Sequence, residues 1–134
     1  MNPSYAKYLA WLGCFVLVLT ALLHTTGFSE ASKVANIDGT NPFVAFFIEP
    51  LWLLPVWNWL IVSLLAGILT IKQHRQNAIL LTIISLIPLA NAATLFIFTG
   101  PFVGGFALLI AGSLFATSGF MSLREVNQSL SDKK

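Results

Sequence analysis

The sequence predicts an all-α integral membrane protein, a single four-helix bundle of up-down topology. Three observations lead there. Of 134 residues, 57% are hydrophobic and only 9% charged, whereas a soluble domain needs charge over the surface it leaves in water. Four segments are apolar and, at roughly 20 residues each, long enough to cross about 30 Å of hydrocarbon. Six of the seven Lys and Arg residues fall on one side of those segments.

The first span covers residues 8–26 and carries no acidic or basic residue in its middle. Lys7, the apolar run and Ser29-Glu30-Ala31 loosely have the form of a cleaved signal. The thin basic region, and the three-span remainder that cleavage would leave, favour retention. A lipoprotein site at Cys14 is disfavoured because hardly any apolar sequence precedes it.

Residues 27–50 form an outer loop whose part from Phe28 to Pro42 is polar, with turn signals at Asn36, Asp38-Gly39 and Asn41-Pro42, and suited to cover an outer pocket. The apolar stretch 43–71 exceeds one untilted span and contains Pro50 and Pro55. Each proline removes a backbone donor and crowds the carbonyl one turn back, so this span is expected to be kinked or split. That places a short interfacial helix at 43–49 and the span itself at 51–71, with Trp52, Trp57 and Trp59 near the lipid–water boundary.

The third and fourth spans cover 78–99 and 102–123. Only Thr99-Gly100-Pro101 separates them, which predicts a tight hairpin between antiparallel neighbours. The tail from Glu125 is polar and expected to fray.

Lys7, Lys72, Arg75, Arg124, Lys133 and Lys134 share one side and Lys33 stands alone on the other. The positive-inside rule then places both termini and the 72–77 loop in the cytoplasm, and the chain in the inner (plasma) membrane.

Gly105, Gly112 and Gly119 recur every seventh residue of the fourth span, with Ala116 one turn after Gly112. Such a smooth stripe suits close approach of a second helix. It serves either a homo-oligomer or partner membrane protein, or another helix of the same chain, which is its commoner use.

Polar side chains within spans are costly and tend to face protein. His24, Glu49, Asn58 and Asn91 are the members of this set, all assigned to the outer half. Imidazole and carboxylate are the groups suited to proton exchange near neutral pH. His24 and Glu49 are therefore the candidate catalytic pair, with Asn91 and Asn58 binding a polar group and Trp52, Trp57 and Phe46 walling the pocket. Read separately, the histidine hydrates at the interface, the glutamate favours the N-terminal end of the following helix, and the asparagines hold helices together.

Other chemistries lack their residues. No dense basic run suggests nucleic acid. The single cysteine forms neither an intrachain disulfide nor a CxxC pair. His24 and His74 are expected on opposite sides, which excludes a bis-histidine haem, and no HExxH or other metal-ligand spacing occurs. No cofactor or metal is expected. In scale, and in setting an acid, a histidine and tryptophans near a cavity, the chain resembles four-helix membrane isomerases and sterol binders of the emopamil-binding type. That likeness covers architecture only and carries no motif.

The expected partners are membrane lipid and a lipophilic small molecule that is bound, isomerised or hydrated in an outer-half pocket. An accessory or assembly subunit of a larger membrane complex is the alternative. A small transporter is a weaker one, because no carboxylate lies near the midplane.

Overall fold

The computed structural model describes residues 4–37, 39–71 and 74–131. Asp38, Lys72, Gln73, Lys133 and Lys134, used above as turn and topology signals, lie outside them. The described chain is helical without strands: α1 (Ser4–Thr26), α2 (Phe28–Ala35), α3 (Pro42–Ile71), α4 (Arg75–Ile84), α5 (Leu86–Thr99) and α6 (Val103–Ser131). Four units are long and apolar enough to cross a membrane: α1 with α2, α3, α4 with α5, and α6. The molecule is a multi-pass membrane protein.

The bundle is inverted relative to a soluble core. Its inner positions are small: Ala6, Ala10, Ala21, Ala66, Ala92 and Ala111 are all at most 1% exposed, whereas Phe15, Leu22, Leu64 and Phe98 face outward. Lipid is as apolar as leucine, so helices gain by close packing rather than by hiding large side chains. On α1 the small or buried positions Ala6, Ala10, Gly13, Leu17 and Ala21 recur at helical spacing, and α1 packs on both α6 and α3. A β-carbon at Gly13 would collide with the Phe115 ring, which lets that fully buried phenylalanine fill the α1–α6 seam.

The Gly105/Gly112/Gly119 stripe is occupied within the chain. Gly105 faces Phe96, Gly112 faces Leu89 and the Ser85 carbonyl, and Gly119 faces Thr82 and Ala78. All three glycines are buried, so the stripe seats α4 and α5 within the chain.

Three features depart from the expected outline. The helix α3 runs through Pro50 and Pro55 without a break, so of the expected kink or split the split does not occur and residues 43–49 continue the same helix. Residues 28–35, expected as loop, form α2, whose Phe28, Ala31 and Ala35 share one face at i, i+3, i+7 spacing and which packs on α3. The third span is interrupted at Ser85. Pro88 explains this: it has no N–H to offer the Ile84 carbonyl, and its ring crowds that carbonyl. The Leu89 N–H reaches the Ser85 carbonyl only at 3.4 Å, while the Ser85 hydroxyl donates to the Thr82 carbonyl at 2.6 Å. The α5–α6 hairpin is as expected, with Gly100 at φ 78°, a conformation open to glycine.

Around the bundle α1 lies between α3 and α6, and α6 also packs on α4 and α5. α3 closes the ring on α4 but scarcely touches α5. Beyond the interruption at Ser85 the third span stays on α6 and leaves α3.

Candidate functional site

Two sites lie on opposite faces of α3. The first is the seam with α1 and α2. The His24 ring stacks on Trp52 with centroids 4.6 Å apart and planes 11° from parallel. His24 Nε2 meets the Trp52 carbonyl at 3.1 Å, and Trp52 Nε1 donates to the His24 carbonyl at 3.1 Å. A carbonyl only accepts, so Nε2 carries the proton in this arrangement. Trp59 meets the histidine ring edge-on at 5.3 Å, and its own Nε1 is buried without a hydrogen-bond partner among the described residues. A β-carbon on Gly27 would strike the Trp52 ring, so the α1–α2 junction needs glycine to admit the indole.

One turn before Trp52, Glu49 accepts a 2.6 Å hydrogen bond from the Ser32 hydroxyl of α2. Lower on the seam, the Cys14 thiol donates to the Ser63 carbonyl at 3.3 Å and the Ser63 hydroxyl to the Cys14 carbonyl at 3.2 Å. The seam thus carries two reciprocal side-chain-to-carbonyl pairs, Cys14/Ser63 and His24/Trp52, in the antiparallel order of the two helices.

The second site is an open groove of about 500 Å³ where α3 and α5 part, lined by Leu54, Pro55, Trp57, Asn58, Ile61 and Asn91. Neither asparagine side chain makes a hydrogen bond to a described residue. Asn58 lies six residues past Trp52, about 9 Å along the helix, and Asn91 lies eight residues before Thr99, about 12 Å. Both amides therefore sit within the apolar belt.

The sequence-selected residues divide accordingly. Glu49 and Asn58 are nine residues apart on α3, about 2.5 helical turns, and so point to opposite sides. His24, Glu49 and Trp52 belong to the seam, while Trp57, Asn58 and Asn91 line the groove. Phe46 belongs to neither and is 74% exposed. His24 and Glu49 make no hydrogen bond to each other; each is engaged by a different partner. The expected convergence of His24, Glu49 and Asn91 on one ligand is not the arrangement adopted.

Trp59 and Pro88 carry more of the site than the sequence reading gave them. Trp59 was visible only as a third boundary tryptophan. Pro88 had a direct signal, a proline in mid-span, and it marks the place from which α5 leaves α3. Among the described residues no group of three His, Cys, Asp or Glu side chains is placed to hold a metal ion.

Compared with protein-family models, curated proteins and solved structures, the chain matches none. The class that the fold defines is a four-span membrane protein, and its function is argued from the groove and the seam alone.

Proposed function

We propose that the protein binds a lipophilic small molecule in the groove between α3 and α5. The observation that carries this reading is the pair of amides, Asn58 and Asn91, that line one apolar groove and bond to no described residue. An amide without a partner in an apolar medium costs roughly 2–7 kcal/mol. A saturated acyl chain offers it nothing, whereas a carbonyl or hydroxyl on an isoprenoid or ring-bearing lipophile satisfies it. Trp57, Pro55 and Ile61 supply the apolar wall. The described lining contains no acid or base, which favours binding over isomerisation or hydration. The Lys and Arg distribution supports an inner-membrane placement with both termini cytoplasmic, which puts the groove in the outer leaflet.

The test compares lipid extracts that co-purify with the wild-type protein and with the Asn58→Leu/Asn91→Leu double variant, read by mass spectrometry. A discrete lipophile retained by the wild type and reduced at least about tenfold in the variant is the expected result. Equal extracts from two proteins with the same unfolding transition would sink the proposal.

A second reading, an accessory subunit, is favoured by the length of α3. Its 30 residues span about 45 Å against about 30 Å of hydrocarbon. Phe43, Phe46 and Phe47 are exposed on its first two turns, where a partner protein would cover them.

A further inference from the structure

At the basic end of the bundle, side chains from four helices and the turn before α4 close on a partly open cavity of about 20 Å³. Its polar lining is Lys7 of α1, Thr70 of α3, His74 before α4, Asn77 of α4, and Ser118 and Ser122 of α6. Several of these donors are already committed. The Thr70 hydroxyl donates to the Ala66 carbonyl at 2.7 Å, the Ser118 hydroxyl to the Ala6 carbonyl at 2.6 Å, and the Asn77 amide to the Leu69 carbonyl at 3.2 Å.

What remains is cationic and donating. Among the described residues Lys7 has no ion-pair partner, and the Ser122 hydroxyl and His74 ring make no hydrogen bond. His74 gives α4 no side-chain cap, so the first-turn amides add partial positive charge beside them. No carboxylate is among the described residues that line the cavity. Apolar Leu69 and Leu81 complete its wall, which places it where hydrocarbon gives way to head groups. A cavity of this size admits one oxygen atom with its hydrogens, not a whole phosphate.

We infer that this cavity receives one non-bridging oxygen of a phosphate-type anion, carried by the phosphodiester of an anionic membrane lipid, with Lys7 as its charge partner and Ser122 as a hydrogen-bond donor. The nearest internal rival in sequence is Glu125, three residues beyond Ser122 on α6. Both its carboxylate oxygens are buried without a hydrogen-bond partner among the described residues, and it makes no ion pair with Lys7 among them.

The experiment is native mass spectrometry of the full chain in detergent, titrated with phosphatidylglycerol. Lys7→Gln is expected to weaken binding about tenfold and Ser122→Ala about threefold, the loss of a charge-assisted and a neutral hydrogen bond respectively. Lys33→Gln, at the opposite end, and Glu125→Gln are expected to leave it intact. Ser122→Ala removes one hydroxyl that makes no hydrogen bond among the described residues, so it carries the test should Lys7→Gln fail to fold. Competition by millimolar inorganic phosphate would retain the anion site and assign it to a free anion rather than a lipid. Equal affinities of Lys7→Gln, Ser122→Ala and Lys33→Gln would overturn the inference. So would a loss in Glu125→Gln that matches the loss in Lys7→Gln, since the two side chains would then serve each other.

Discussion

The two faces of α3 treat their polar groups in opposite ways. Toward α1 and α2, His24, Trp52, Cys14 and Ser63 answer one another across the seam, side chain to carbonyl and back. Toward α5, Asn58 and Asn91 face a groove and bond to no described residue. Both faces are set in a medium without water to satisfy them. The difference teaches that the seam is a structural joint and the groove a place left open. A histidine flagged for proton chemistry is held as a packing element, and two asparagines that usually hold helices together are left available.

Mutations break this comparison most strongly at the seam. Trp52→Ala removes the stack on His24 and the Nε1 bond to the His24 carbonyl, while the Trp52 carbonyl that meets His24 Nε2 remains, and is expected to cost about 3 kcal/mol of stability. Reversible unfolding in mixed micelles measures it, and an effect below about 1 kcal/mol would show the joint to be dispensable. Ser63→Ala removes one hydroxyl of the Cys14/Ser63 pair. The expected loss is only about 0.6 kcal/mol, because interhelical hydrogen bonds in membranes are worth little on average. The smallest effect is expected at Trp59→Phe: its indole N–H has no partner among the described residues, so its removal offsets the lost ring area and stability stays within about 0.5 kcal/mol of wild type. A larger loss would reveal a partner for that N–H, with the edge-on His24 ring the first to examine. On the open face, the Asn58→Leu/Asn91→Leu variant separates the two roles, since it should lose ligand while keeping its unfolding transition.

Much of this was legible in particular residues. Gly100 and Pro101 announced the hairpin, whereas Glu49 and Asn58 were read into one pocket because a break near Pro50 was expected; only in a continuous helix does their nine-residue separation put them on opposite sides. Small residues at Gly105, Gly112 and Gly119 announced a close contact, though not whose helix would fill it. Phe28, Ala31 and Ala35 carried the pattern of α2, too brief to outweigh the turn signals around it. Other features had no local signature. Nothing near His24 in sequence names Trp52 as its partner, because the two are 28 residues apart and meet only when α1 and α3 pack antiparallel.

The sequence by itself determined the solvent, the number of spans and the side on which the basic residues gather, because each rests on quantities local to a segment: its apolar length, its prolines and glycines, its charge. Only the tertiary structure decided which helix faces which, and with that which polar groups are answered and which are left open. Apolar residues surround every span, so hydrophobic pattern cannot tell lipid-facing from protein-facing surface. That choice falls to the fit of small residues such as Gly13 against Phe115, and to the interruption at Ser85 beyond which α5 leaves α3.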